Sequence, residues 1–184
     1  MKDSDIIVQA TIGNKGAYRE LLRKYANLTL AVAFARSGNS ETARLAAADT
    51  FVEASKELAN LPETALIPPW IASITRAAIR ERMSGTRRVS LTPEAARGKI
   101  LKVLEEAERP DSLSPEQKNS LVFVAFNSLS DEQREVLCLL HIYSNTYSEI
   151  ASAMATEADE TDDRIANARE QMASVLEPLF ARGL

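Results

Sequence analysis

The chain has 184 residues, 45% of them hydrophobic and 26% charged, and its formal net charge is −4. This length allows one or two small domains of ordinary globular composition. The negative charge excludes nucleic-acid binding by bulk electrostatic attraction, so any such contact has to come from local basic patches. The sequence has no alternating run of β-branched residues that would predict strands, and its single cysteine excludes a disulfide framework. We therefore predict an all-α protein.

Targeting and catalytic signals are missing from the sequence. No stretch approaches about 18 uninterrupted apolar residues, and the N-terminus has no basic start followed by an apolar core. We predict a cytoplasmic protein without membrane insertion. Cys138 lies between two leucines and is interpreted as a small core residue. Because His141 has no cluster of ligands around it, and no phosphate loop or nucleophile elbow occurs, we predict no metal, no cofactor and no enzymatic activity.

The first half of the chain is predicted to form three helices. The first runs from about Tyr18 to Gly38, since glycine commonly ends a helix. The second is an alanine-rich helix over 41–61. The prolines of segment 62–69 predict a loop, and a third helix resumes at Trp70. In the second helix we expect four residues to be buried: Leu45, Phe51, Val52 and Leu58.

The helix that starts at Trp70 carries a basic patch. Five arginines and a single glutamate lie between residues 76 and 88. Arginine suits phosphate contact, and aromatic rings stack on unpaired bases. The alternative is that the arginines form a solvated helix face and Trp70 belongs to the core. We favour nucleic-acid contact, with these candidate residues: Trp70, Arg76, Arg80, Arg82, Arg87 and Arg88.

A connecting segment is predicted next. Thr92 followed by Pro93 is a typical helix start, and the helix is expected to reach about Glu108. Its apolar residues are few beside its charged ones, so we expect a solvated helix that touches either domain lightly. Proline and polar residues over 109–114 predict a hinge before the chain resumes at Pro115.

Residues 130–172 predict a compact unit of three helices. Two capping boxes, Ser130 with Gln133 and Thr146 with Glu149, mark two helix starts. The short turn between the helices is typical of a helix-turn-helix DNA reader. Apolar residues at helical spacing indicate the buried faces: Val136, Leu137, Leu140, Tyr143, Ile150, Ala151, Met154, Ile165, Ala168 and Met172.

The run from Leu129 to Met172 resembles the C-terminal promoter-reading domain of bacterial sigma factors of the extracytoplasmic-function class. The helix at Trp70 resembles the family's W-L-Y-R-I-A-R-N helix through Trp70, Ile74 and Arg76. The resemblance therefore extends over both halves of the chain. In the C-terminal half it rests on three groups: Arg134, Val136 and Leu137; Thr146, Tyr147, Glu149, Ile150 and Ala151; Asn167, Ala168 and Arg169.

The resemblance implies two small helical domains: a sigma region 2-like domain over 1–90, a helical linker over 91–114 and a region 4-like helix-turn-helix domain over 115–184. It also implies RNA polymerase core and promoter DNA as partners. In the family, the helix matched at Trp70 and the loop before it capture flipped bases of the melted promoter, and the preceding helix docks on the polymerase clamp. By resemblance, polymerase contacts fall on Asp49, Phe51 and Glu53, and further DNA contacts on Arg164, Asn167 and Arg169.

Two departures from the family pattern leave two functions open. Acidic residues crowd the start of the recognition helix, where Asp162 replaces a frequent lysine, and the clamp-docking helix has Leu45 and Ala48 at usually polar positions. The first function is a divergent alternative sigma factor. The second is a sigma-like decoy or adaptor that binds an anti-sigma factor and touches little DNA. A dimeric helix-turn-helix repressor is disfavoured because it leaves the N-terminal half unexplained.

Overall fold

The structure of the protein, a computed structural model, describes residues 3–62, 65–85, 90–107, 112–141 and 146–181. No strand occurs in these ranges, and the prediction of an all-α protein is confirmed. The α-helices are α1 (Asp3–Thr11), α2 (Lys15–Ser37), α3 (Ser40–Glu57), α4 (Ile67–Arg82), α5 (Pro93–Glu106), α6 (Pro115–Phe126), α7 (Asp131–His141), α8 (Tyr147–Met154) and α9 (Ala158–Ala181).

Local sequence signals place several helix ends where they were predicted. Gly38 follows α2 with a φ of 65°, a left-handed conformation that glycine adopts at little cost. The Ser130 backbone N–H donates to the Gln133 side chain at 2.9 Å, and the Gln133 backbone N–H donates to Ser130 Oγ at 3.2 Å. The same reciprocal pair joins Thr146 and Glu149 at the start of α8. Both predicted capping boxes are confirmed.

Helix α4 starts earlier than predicted. It begins at Ile67, so Pro68 and Pro69 lie in its first turn rather than in a loop. Proline is tolerated there because the first-turn N–H groups have no acceptor within the helix. The helix ends at Arg82, and Arg87 and Arg88 lie outside the described residues.

Helix α3 packs through its small residues. It buries four alanines and Thr50, whereas Leu45 is 46% and Val52 57% exposed. The prediction that these two residues are buried was therefore wrong, while that for Leu58 is confirmed. Alanine side chains let helix axes approach closely, and α2, α3 and α4 pack on one another. The face of α3 that carries the larger apolar side chains is left to solvent.

The chain divides into two compact units that do not follow chain order. The first comprises residues 1–87 and 135–162, and the second residues 88–134 and 163–184. Helices α7 and α9 each cross a boundary, so the helix-turn-helix segment does not form a unit of its own. The division into 1–90, 91–114 and 115–184 stays a prediction about functional domains.

The second unit has a core to which α5 contributes. Ala96, Ile100 and Leu104 are each no more than 1% exposed. The expectation of a solvated linker helix was wrong, because these three residues, four apart, form one narrow stripe that needs few apolar positions. The stripe packs with residues from other parts of this unit: Leu113, Leu121, Ala125 and Val175.

Helix α7 is buried on all sides over residues 134–139. The predicted burial of Val136, Leu137 and Cys138 is confirmed. Leu139, which the predicted apolar stripe left out, is fully buried, and Leu140 is only partly buried. The buried surface of α7 is therefore wider than the predicted apolar stripe.

Candidate functional site

Helix α4 carries the predicted basic residues that the structure describes in this part of the chain, which are Arg76, Arg80 and Arg82. Its apolar side is buried through Ile67, Ile71, Ile74 and Ile79. Arg80, by contrast, is exposed and forms no ion pair with a described residue. Of the predicted arginines of α4 that the structure describes, Arg80 is therefore the one available to bind an anion without rearrangement.

Arg76 is engaged inside the protein. Its Nη2 atom lies 2.6 Å from Glu135 Oε1, and the same atom donates to the Ala153 carbonyl at 3.1 Å. Arg36, at the end of α2, approaches the other carboxylate oxygen, with Nη2 2.9 Å from Glu135 Oε2. We call Arg36, Glu135 and Arg76 the ion triad.

The ion triad is shielded from water. The Glu135 side chain has no exposed surface, and those of Arg36 and Arg76 are 19% and 22% exposed. A carboxylate out of water requires cationic partners and hydrogen bonds, which the two guanidinium groups supply. The prediction that Arg76 contacts nucleic acid stays a prediction, and in this conformation the contact would require breaking the triad.

An acidic groove of about 290 Å³ lies between α3 and α4. Trp70 lines it, and its indole Nε1 donates to Glu57 Oε2 at 3.2 Å. The structure thus brings Trp70 together with the predicted polymerase-binding residues Asp49 and Glu53 rather than with Arg76. The carboxylates that line the acidic groove are Asp49, Glu53, Glu57 and Glu81.

Two of these acids were missed from sequence, although a signal for one was present. Asp49, Glu53 and Glu57 recur every four residues, a spacing that places them on one face of a helix. Glu81 comes from α4, and only the packing of α3 on α4 brings it to the groove. With four carboxylates and one aromatic ring, the groove suits a cationic side chain of a partner protein.

All three predicted polymerase contacts have partners within the first unit. Asp49 forms an ion pair with Arg82, itself a predicted DNA contact. Glu53 is paired with Lys56 at 2.7 Å, and both side chains are largely exposed. Phe51 is half-buried, and its carbonyl accepts a hydrogen bond from the Tyr18 hydroxyl.

Helix α9 carries the candidates of the predicted recognition helix. Asn167 and Arg169 are exposed, and Arg164 is half-buried. The first two turns of the helix also expose a cluster of acids: Asp159, Glu160, Asp162 and Asp163. Phosphates would be repelled from this end of α9.

Other site types find no support in the part of the chain that the structure describes. No group of three His, Cys, Asp or Glu side chains there is arranged to hold a metal ion. His141 lies exposed at the end of α7. Among the described helices, none is long and apolar enough to cross a membrane.

Comparisons with known proteins agree with the resemblance seen in the sequence. No family model matches the chain. A probable RNA polymerase sigma factor, RfaY of Xanthomonas campestris, is 25% identical over 179 residues, which are 95% of this chain but 44% of that protein. The chain thus spans less than half the length of this curated relative.

Two solved structures share the fold. CnrH in complex with the cytosolic domain of CnrY matches with a TM-score of 0.60 and 20% identity, over 96% of this chain and 97% of the other. The sigma factor RpoE in complex with the anti-sigma factor NepR, from Bartonella quintana, matches with a TM-score of 0.53 and 18% identity, over 86% of this chain and 98% of the other. The predicted resemblance is confirmed: this chain is similar to RNA polymerase sigma factors along nearly its whole length.

Proposed function

We propose that the protein is a divergent alternative sigma factor that directs RNA polymerase core to promoters. The observation that carries the proposal is coverage, because the sequence and fold similarities extend across both halves of the chain. A helix-turn-helix occurs in many kinds of regulator, so it does not identify a sigma factor by itself. A dimeric helix-turn-helix repressor would leave the first half of the chain unexplained. Such a protein acts by binding in the cytoplasm, where the polymerase works, and not by chemical catalysis.

The polymerase contact is proposed to lie on α3 and along the acidic groove. The exposed Val52 and Leu45 side chains supply apolar area beside Asp49 and Glu53. An apolar patch rimmed by charges is typical of a protein-binding surface. The carboxylates would steer a basic partner towards it.

DNA contact is proposed at two places. Arg80, Arg82, Arg87 and Arg88 would hold the backbone of a melted strand, since arginine forks match phosphate oxygens. In α9, Arg164, Asn167 and Arg169 would contact duplex DNA. These contacts have to outweigh the repulsion from the acids in the first two turns.

The acid cluster of α9 favours a second candidate function. A sigma-like decoy or adaptor would bind an anti-sigma factor, as RpoE does in its complex with NepR, without needing DNA contact. The four exposed acids are compatible with that function and unfavourable for phosphate binding. Binding of an anti-sigma factor is compatible with both functions, so polymerase binding and promoter opening separate them.

The test is co-elution of the purified chain with bacterial RNA polymerase core, followed by detection of open promoter complexes. We expect wild type to co-elute, and D49A/E53A to lose at least tenfold in affinity, about 1.4 kcal/mol. The control is E105A/E106A, which removes two exposed acids from α5 and should bind as wild type does. A chain that binds an anti-sigma factor but never polymerase would support the decoy instead.

A further inference from the structure

The stability of the fold does not require the three charges of the ion triad. Replacing a buried ion pair by apolar residues of similar volume is often neutral or stabilising, because desolvation costs as much as the pairing gains. Neither the stability of α7 nor its burial therefore explains why Glu135 lies between two arginines from different helices. A role in which the charges separate again provides a reason.

The two arginines form a binding site for an anionic group that presents two oxygen atoms. Arg76 contacts Oε1 of Glu135 through Nη2 at 2.6 Å and Nε at 3.1 Å. Arg36 contacts Oε2 through Nε and Nη2, each at 2.9 Å. Each guanidinium thus directs two donors at one oxygen. A phosphodiester presents a similar pair of anionic oxygens, and arginine is the side chain best suited to bind it.

We infer that Arg36 and Arg76 form a paired-arginine site for a nucleic-acid phosphate, and that Glu135 occupies this site in the closed conformation. Arg36, at the end of α2, thereby takes part in phosphate binding, although it lies outside the basic patch of α4. It rests on the proposed function for its ligand, which is the backbone of single-stranded DNA.

Helix α8 is part of the closed conformation. It packs on α4, and the Ala153 carbonyl accepts from the same Nη2 atom that binds Glu135. Freeing Arg76 therefore breaks contacts to both α7 and α8. On separation the three charges regain water, which offsets part of the lost attraction and makes the contact reversible.

The experiment is a titration of the full chain with a labelled single-stranded DNA 20-mer at several salt concentrations. In E135Q the amide keeps the shape of the side chain but cannot balance two arginines. We expect its affinity to rise about tenfold or more, since a hydrogen bond to a charged group contributes at least that factor. The slope of log affinity against log salt should steepen by about 0.7 for each phosphate gained.

Two further variants assign the effect to the site. E105Q removes the same charge from an exposed acid of α5, so it should change affinity less than twofold. R36Q combined with E135Q should return the affinity and the slope to wild-type values. If E135Q behaves as E105Q does, or if the double variant keeps the gain, the inference is overturned.

Hydrogen exchange keeps the inference testable if E135Q folds poorly. E135D retains the charge but is one methylene shorter, so it cannot reach both arginines equally well. We expect faster exchange of the α8 amides in E135D and a smaller gain in DNA affinity of the same sign; unaltered exchange and affinity would contradict the site. Because no polymerase is present, this result is independent of co-elution. A chain that fails to bind polymerase yet gains DNA affinity in E135Q would refute only the sigma-factor proposal.

Discussion

At the scale of single residues, Tyr18 shows how one side chain joins two helices. Its hydroxyl, on α2, donates to the Phe51 carbonyl in the middle of α3. Burial raises the pKa of the Tyr18 phenol above its ordinary value, because the charged form loses hydration. The bond holds the α2 side of α3 in place, next to the predicted polymerase contacts.

Tyr18→Phe removes this hydrogen bond and keeps the ring. We expect the free energy of unfolding to fall by about 0.5–1.5 kcal/mol at neutral pH. Since the folded pKa is raised, the contribution of Tyr18 is complete below the unfolded value of about 10 and is lost as pH rises through the folded value. The free energy of unfolding, measured by chemical denaturation, should therefore fall less between about pH 9 and about pH 11 in the variant than in wild type.

The control is Tyr147→Phe, at a side chain that is 43% exposed. It should leave the free energy of unfolding at neutral pH close to that of wild type. An equal change in both variants would mean that the Tyr18 hydroxyl has no special role.

At the scale of secondary-structure elements, α8 ends on an unusual residue. Ala155 has φ 54° and ψ 46°, and it is the non-glycine residue with positive φ among the described residues. Its N–H donates to the carbonyls of the last turn, as in other left-handed helix caps. An L-residue in this conformation costs about 1–2 kcal/mol.

Ala155→Gly should stabilise the protein. Glycine removes the strain but loses about 0.5–1 kcal/mol of chain entropy on folding, so we expect a net gain of about 0.5–1 kcal/mol. Thermal unfolding measures it as a higher Tm. The matched control is Ala166→Gly, in the exposed interior of α9, which should cost about 0.5–1 kcal/mol. A loss of stability in both variants would contradict the strain at Ala155.

The acid cluster of α9 is tested by Asp162→Lys with Asp163→Ser. The full chain is used because the residues after 114 belong to both compact units. A sigma factor should bind promoter duplex selectively as wild type, and the substitutions should change its sequence preference. A decoy should bind no duplex at moderate salt and gain weak, non-specific, salt-sensitive affinity from the substitutions.

Titration against promoter and scrambled duplexes at two salt concentrations separates these outcomes. The control is E105K/E106S, which makes the same charge change on α5. Equal gains in both variants would show that net charge, and not the position of the acids in α9, governs binding.

The elements that could be predicted from sequence are those with local causes. The capping boxes at Ser130 and Thr146 and the end of α2 at Gly38 involve residues a few positions apart, and the structure has them as predicted. The start of α4 was missed because a proline fits either a loop or a first helical turn. The exposure of Leu45 was missed because size alone does not tell which face of an alanine-rich helix is packed.

At the scale of the whole molecule, the first compact unit depends on residues far apart in sequence. Glu135 is 99 residues from Arg36 and 59 from Arg76. No periodicity relates such positions, so neither the ion triad nor the placement of Trp70 at the acidic groove could be predicted. The arginines near Trp70 predicted nucleic-acid contact. The sequence could not show that Arg76 and Arg82 have acidic partners within the protein.

Truncation tests this dependence. A fragment of residues 1–90 lacks Glu135 and α8, and we expect it to unfold at a lower denaturant midpoint than a fragment of residues 1–162, which retains the first unit. Without Glu135 the two arginines lose the carboxylate that they share, and the part of α4 that α8 covers becomes exposed. Equal midpoints for the two fragments would instead support a self-sufficient domain over 1–90.

The order in which the chain is synthesised gives the ion triad a consequence of its own. A ribosome adds about 5–20 residues per second, so Arg76 precedes Glu135 by about 3–12 s. During that interval helices α2 to α4 can form while their arginine pair still lacks its carboxylate. Slow codons between positions 76 and 135 would lengthen this interval, in which Arg76 lacks the carboxylate that neutralises it in the folded protein.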